Sequence, residues 1–229
     1  MALQKSDLEF FPEEYLLEED EMGESNAQFQ LIRYLVELLE WLFRLEKWHI
    51  AGKLELYHQK VRNTQNKITP DISVFKGIEI SSQQRQKLTS WNIGRSKITP
   101  PVLFEISSNS TRRSDILAGG NYKPAIYGRM GVKEYFAYDP NEPAVWRNTN
   151  NQRLLGWRYE NSEPVELQPD DQGRLWSEEL NSWLKAEGSY LRLYDQENNI
   201  RLTQNEASQQ RIAELERQLS ELKGDRKQQ

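Results

Sequence analysis

Leucine recurs at Leu31, Leu35, Leu38, Leu42 and Leu45, and spacings of four, three, four and three align one apolar stripe along a helix. Ser25 and Gln28 form the Ser-x-x-Gln arrangement that satisfies free amides at a helix start. The pattern predicts an amphipathic helix from Ser25 to about Lys47. The period then changes. IAGKLELY alternates Leu54 and Leu56 beyond a Gly52 turn or bulge and reads as a strand. DISVF follows Pro70 and sets Ile72 and Val74 against Asp71 and Ser73, a second strand. Residues 76–100 read as irregular: polar, basic and punctuated by Gly77 and Gly94. VLFEISS is the third strand and the most apolar. NSTRRSD has loop chemistry. A short helix is predicted from about Lys123 to Met130, with Pro124 suited to its first position and Gly131 to its end. VKEYFAYDP is a fourth strand, ended by Asp139-Pro140. AVWR, LLGWRY, VELQ and YLRLYD read as further short strands, with a helix in WSEELNSWLK.

This order predicts an α/β protein of the mixed α+β kind, a mixed twisted sheet flanked by helices. Two ends depart from the pattern. Residues 5–24 hold nine acids and one lysine, so residues 1–24 read as an acidic arm ahead of a body over 25–203. In the tail, 204–229, Ile212, Leu215, Leu219 and Leu222 repeat at three, four and three among charged residues. Asn205 and Ser208 occupy the preceding seam positions, which makes the tail a charged helix or a short coiled coil.

Composition narrows the function classes. The 229 residues suit one domain with appendages. No cysteine is present, which excludes disulfides and thiolate zinc sites, and His49 and His58 are too few for a histidine-rich metal centre. The acidic start is unlike a secretory signal, and Arg33, Glu37 and Glu40 interrupt the most apolar stretch, so a soluble, cytoplasmic protein is expected, with no membrane partner. A net charge of −5 argues against strong nonspecific nucleic-acid binding. Yet between Glu79 and Asp115 the only acid is Glu105, among Arg85, Lys87, Arg95, Lys97, Arg112 and Arg113.

Glu105 is the most informative residue. Val102, Phe104 and Ile106 share one face of its strand; Leu103, Glu105 and Ser107 share the other. A bare carboxylate buried there is costly unless paired or metal-bound, so a cationic partner is required, whether a metal or an arginine. Asp71, at the start of its strand, is either a turn aspartate capping an amide or a second ligand. Together the two acids offer oxygens to Mg²⁺, which keeps several waters. Lys123 and Tyr127 lie one helical turn apart on one face. Lys123 is either a surface lysine or a contact for a phosphate; Tyr127 reads as core.

The runs TPDISVF, PPVLFEISSNSTRRSD and KPAIYGRMGVKEYFAYDP resemble the Uma family of bacterial putative restriction endonucleases, in the PD-(D/E)XK nuclease superfamily, over roughly residues 25–195. The resemblance implies a restriction-endonuclease-like core. It implies a metal-dependent endonuclease that hydrolyses DNA phosphodiesters, with Asp71 and Glu105 binding Mg²⁺ or Mn²⁺ and Lys123 completing the catalytic set. The superfamily's usual Glu-x-Lys pattern puts its lysine where this chain has Ser107; the family moves it to the next helix, at Lys123. Glu24 or Gln28 would add a contact from the first helix, although capping explains Gln28 equally well and Glu24 fits the acidic arm. Asp115 reads as a loop aspartate in a supporting position, Ser107 and Tyr127 are candidate supporting residues with it, and Arg112 and Arg113 read as steering groups for a DNA backbone. A double-strand cut needs two sites, which accords with a homodimer. The alternative is a catalytically weak or inactive nuclease-fold protein that acts as an interaction module through its C-terminal helix. The acidic net charge and Ser107 favour that alternative, and the joint presence of Asp71, Glu105 and Lys123 favours the enzyme.

Overall fold

The computed structural model describes residues 26–61, 67–108, 111–117, 122–144, 146 and 152–225. The acidic arm, Glu24 and Ser25 lie outside them. The leucine stripe forms α1 (Asn26–Leu42), which ends short of Lys47 in a turn. Its Leu31, Leu35, Leu38 and Leu39 are buried against a six-stranded sheet.

The sheet runs β1 (Trp48–Gly52), β4 (Ile72–Lys76), β6 (Val102–Ile106), β7 (Glu134–Tyr138), β8 (Leu154–Glu160) and β9 (Glu163–Glu166) in spatial order. Only β6 and β7 are parallel. Burial on both faces explains why β6 reads as nearly continuous apolar sequence. On one face Ile72, Val74, Val102, Phe104 and Ile106 pack under α1. On the other, Phe75, Leu103, Tyr135 and Trp157 pack against α5 (Lys123–Met130) and a three-stranded sheet of β3 (Lys67–Ile68), β2 (Glu55–Tyr57) and β5 (Ser90–Asn92). Asp71 and Glu105 lie on this second face.

Several sequence expectations are corrected. IAGKLELY is not one strand: Lys53, at φ 52°, breaks it between β1 and β2, which join different sheets. The stretch 76–100 is not irregular. It contains α2 (Ser82–Lys87), β5 and α3 (Ile93–Ser96), and α2 opens on a capping box made by Ser81 and Gln84. NSTRRSD is not all loop, because Arg112–Ile116 forms the short helix α4; Asn109 and Ser110 lie outside the described residues. AVWR forms no described strand, since Ala144 and Trp146 are irregular and Val145 and Arg147 lie outside the described residues. WSEELNSWLK is a hairpin rather than a helix, formed by β10 (Leu175–Ser177) and β11 (Ser182–Glu187) and extended by β12 (Tyr190–Tyr194). Its Trp and Leu spacing imitates a helical stripe, but Asn181 takes φ 47° and turns the chain. Trp176 then faces Trp183 across the strands with ring centroids 5.1 Å apart, while Leu175 and Leu184 point into the core. The tail is helical, as α6 (Gln204–Asp225). No helix among the described residues is long and apolar enough to cross a membrane.

One glycine seats the helix that carries Lys123. A Cβ on Gly128 of α5 would stand 2.3 Å from the Ser162 carbonyl oxygen and 2.7 Å from the Tyr159 ring. Backbone cannot yield as a flexible side chain does, so Gly128→Ala is expected to destabilise the chain by about 1–3 kcal/mol. A denaturant melt checks this; an unchanged midpoint would mean that α5 can shift freely on the sheet.

Candidate active site

Strand register brings the polar residues together. Gly52 pairs with Ile72 across β1 and β4, and Ile72 with Phe104 across β4 and β6. One step further along each strand, Lys53 stands opposite Asp71 and Asp71 opposite Glu105. The Lys53 amide donates to the Asp71 carbonyl at 3.0 Å, which extends the first pairing. Residues directly opposite on antiparallel strands present their side chains on the same face, about 4.5–5.5 Å apart at Cβ. Asp71 and Glu105, 4% and 3% exposed, are thus buried neighbours.

Each oxygen of the two acids has a partner. Asp71 Oδ2 accepts from the Ile106 amide at 2.6 Å, and Asp71 Oδ1 accepts from the Lys53 ammonium. Glu105 Oε1 accepts from the Tyr127 hydroxyl at 2.5 Å, and Glu105 Oε2 pairs with Lys123 Nζ at 2.9 Å. The cation that burial of Glu105 demands is therefore Lys123, not an arginine. α5 supplies both Lys123 and Tyr127, one turn apart, with Pro124 in its first turn and Gly131 at φ 88° closing it. Tyr127 is fully buried core, and its hydroxyl also reaches Glu105.

Asp115 is more than a loop aspartate. It sits on α4, is 1% exposed, and pairs with Lys123 Nζ at 2.7 Å through Oδ1. Its Oδ2 accepts from Ser107 Oγ at 2.8 Å, and its carbonyl accepts from the Tyr135 hydroxyl at 2.8 Å. Ser107 therefore holds the carboxylate that holds Lys123. Gln28 also departs from a purely capping role: its amide donates to the Ile106 carbonyl at 2.6 Å, tying α1 to the end of β6 beside Glu105. Arg112 is half-buried and Arg113 exposed, both on α4 next to Asp115. Lys53 was not anticipated, because only the pairing register puts it beside Asp71.

Charge follows from this packing. Burial pushes the Glu105 carboxyl up to about 8; Lys123 opposes the shift, and the charges of Asp71 and Asp115 add to it. Burial alone would lower the Lys123 ammonium, but the Glu105 and Asp115 carboxylates raise it. The Tyr127 hydroxyl is raised well above its ordinary range by burial and then by Glu105, so it stays a donor. Three carboxyl groups meet two ammonium groups in a low-dielectric site, and the upward shift of Glu105 is the response to that shortage of positive charge.

That donor set fits a hard divalent cation. A carboxylate has about four lone-pair sites, so Asp71 and Glu105 each retain acceptor capacity beyond their present bonds. Among the described residues no group of three or more Asp, Glu, His or Cys is arranged to hold a metal ion. Two acids with the remaining positions left to water suit Mg²⁺ or Mn²⁺ rather than an all-protein cage. The Lys53 side chain is 45% exposed, so it can leave Asp71 for solvent or for an anion.

Comparison with known proteins sets this geometry in context. The Uma2 family model, described as "Putative restriction endonuclease", matches residues 4–180. No curated protein matches. Among solved structures, this chain is similar to a putative nuclease belonging to DUF820 from Anabaena variabilis, with 13% identity and a TM-score of 0.47, over 69% of this chain and 75% of that one.

Proposed function

Because the chain belongs to the Uma2 family of putative restriction endonucleases, we propose that it is a divalent-metal-dependent endonuclease that hydrolyses DNA phosphodiester bonds at Asp71, Glu105 and Lys123. The observation that carries this reading is the convergence of two buried acids from adjacent strands with a buried lysine from α5, whose ammonium lies 2.9 Å from Glu105. Asp71 and Glu105 would hold Mg²⁺ or Mn²⁺. Bound there, the cation would polarise a phosphate oxygen and lower the pKa of a coordinated water.

The chain's own groups supply the rest. The Ile106 amide and the Tyr127 hydroxyl hold the two carboxylates in orientation. Lys123 offers a fixed positive charge to the phosphate oxygens, where charge grows in the transition state; such preorganised donors are worth about 10²–10³-fold in rate. Asp115, steadied by Ser107, keeps that ammonium in place. Arg112 and Arg113 on α4 and Lys53 beyond β1 would attract a phosphate backbone without reading sequence.

The test is nicking of supercoiled plasmid by the full chain with Mg²⁺ or Mn²⁺, against the same reaction with EDTA. Cation-dependent conversion to open-circular DNA is the expected result. The ammonium groups on both acids favour a second reading, a nuclease-fold interaction module without activity. No cleavage of plasmid, linear duplex or single strands with either cation would support it and overturn the first.

A further inference from the structure

Helix α6 lies beyond the residues matched by the family model, and it carries an apolar stripe that is exposed among the described residues. Its base is fixed to the body. The Thr203 hydroxyl accepts from the Glu206 amide at 3.2 Å, Glu206 accepts from the Thr203 amide at 2.8 Å, and Arg192 pairs with Glu206 at 2.6 Å. Arg192 also donates to the Tyr34 hydroxyl of α1 at 2.6 Å. Beyond that turn the helix emerges. Ile212, Leu215, Leu219 and Leu222 are 56%, 42%, 55% and 62% exposed. A solvated helix gains nothing from aliphatic residues at three, four and three; a helix seam does.

We propose that α6 pairs in parallel with α6 of a second copy of this chain, with Ile212 and Leu219 at the a positions and Leu215 and Leu222 at the d positions of a two-stranded coiled coil. The flanking charges suit a second copy laid in parallel. In this register Arg211 takes a g position and Glu216 the following e position, so each Arg211 meets the Glu216 of the other copy. Two attractive pairs form, and the remaining flanking contacts, Gln204 with Gln209 and Gln218 with Lys223, are not repulsive. Within the chain, Glu214 is already paired with Arg217 at 2.9 Å on the outer face. Among the described residues neither Arg211 nor Glu216 has an ion-pair partner in its own chain. A β-branched Ile at a with Leu at d also favours two strands. The seam positions nearest the body, Asn205 and Ser208, are polar, so the apolar contact lies in the outer half of the helix. The inference does not depend on what the body catalyses.

Sedimentation equilibrium of the full chain is the test. A reversible dimer of twice the 27.1 kDa chain mass is expected at micromolar concentration. Leu215→Glu with Leu219→Glu should give a monomer whose circular dichroism of the body and melting temperature are unchanged. Arg211→Glu should weaken the dimer roughly tenfold by turning two attractive pairs repulsive, and Arg211→Glu with Glu216→Arg should restore it. A monomer at all concentrations, a trimer or tetramer, or a dimer indifferent to the leucine changes would overturn the proposal. A leucine-dependent dimer that the double charge exchange fails to restore would overturn the parallel register.

Discussion

Glu105→Gln is expected to reduce plasmid nicking by about 10³-fold or more while leaving the chain folded. A cation at the phosphate supplies several kcal/mol of charge stabilisation, and each 1.36 kcal/mol is tenfold in rate. Glutamine keeps the shape and still accepts from the Tyr127 hydroxyl, but it is a poor ligand for a hard cation. Folding should survive because the change removes a charge that burial already disfavours, as the upward shift of the Glu105 carboxyl indicates. Lys123 keeps Asp115 as its partner. Asp71→Asn should give a similar loss, since its amide oxygen still receives the Ile106 amide but the anionic ligand is gone. The measurements are nicking rates across Mn²⁺ concentrations and thermal melts of each variant. Parent-like nicking by Glu105→Gln would remove Glu105 from the site. Loss of activity accompanied by a collapsed melt would assign it to the core instead.

What could be read in advance was set by whether a residue's role depends on its own strand or on its neighbours. Glu105 was legible because one acid in VLFEIS violates the apolar pattern, and Asp71 because an acid opens the adjoining strand. Lys123 was legible chiefly through resemblance, since its place at a helix start suits a surface lysine equally well. Lys53 was not legible, and Asp115 was legible only as a supporting loop aspartate, without its partners. Lys53 meets Asp71 through the β1–β4 register, and Asp115 meets Ser107 because α4 folds back over the end of β6. The hairpin at 175–187 was misread because Trp176, Leu180, Trp183 and Leu184 satisfy a helical period as well as an alternating one, and only Asn181 signals the turn. The capping box of Ser81 and Gln84 was a local signal for α2 that the polar composition of 76–100 concealed.

The partnership of Ser107 and Asp115 leads to the second large effect. Lys123→Ala should cost about 10²–10³-fold in nicking and should also destabilise the chain by about 3–5 kcal/mol, because the buried Glu105 and Asp115 carboxylates lose their shared cation. That variant alone cannot separate catalysis from folding. Moving the lysine can. Ser107 Oγ and Lys123 Nζ approach the two oxygens of one Asp115 carboxylate, at 2.8 and 2.7 Å, so the two positions converge on one point from different elements. Ser107 is buried, and a lysine there has no room while Lys123 is present. In Lys123→Ala the vacated space is that of a lysine stem. The double variant Ser107→Lys with Lys123→Ala is therefore expected to recover both stability and a measurable part of the nicking rate, with the ammonium now delivered from β6, two residues after Glu105. Ser107→Lys alone should be destabilised by overpacking. Recovery of stability without any recovery of nicking would limit Lys123 to neutralising Glu105 and Asp115. Recovery of neither would mean that the approach from α5, and not only the charge, is what the site requires.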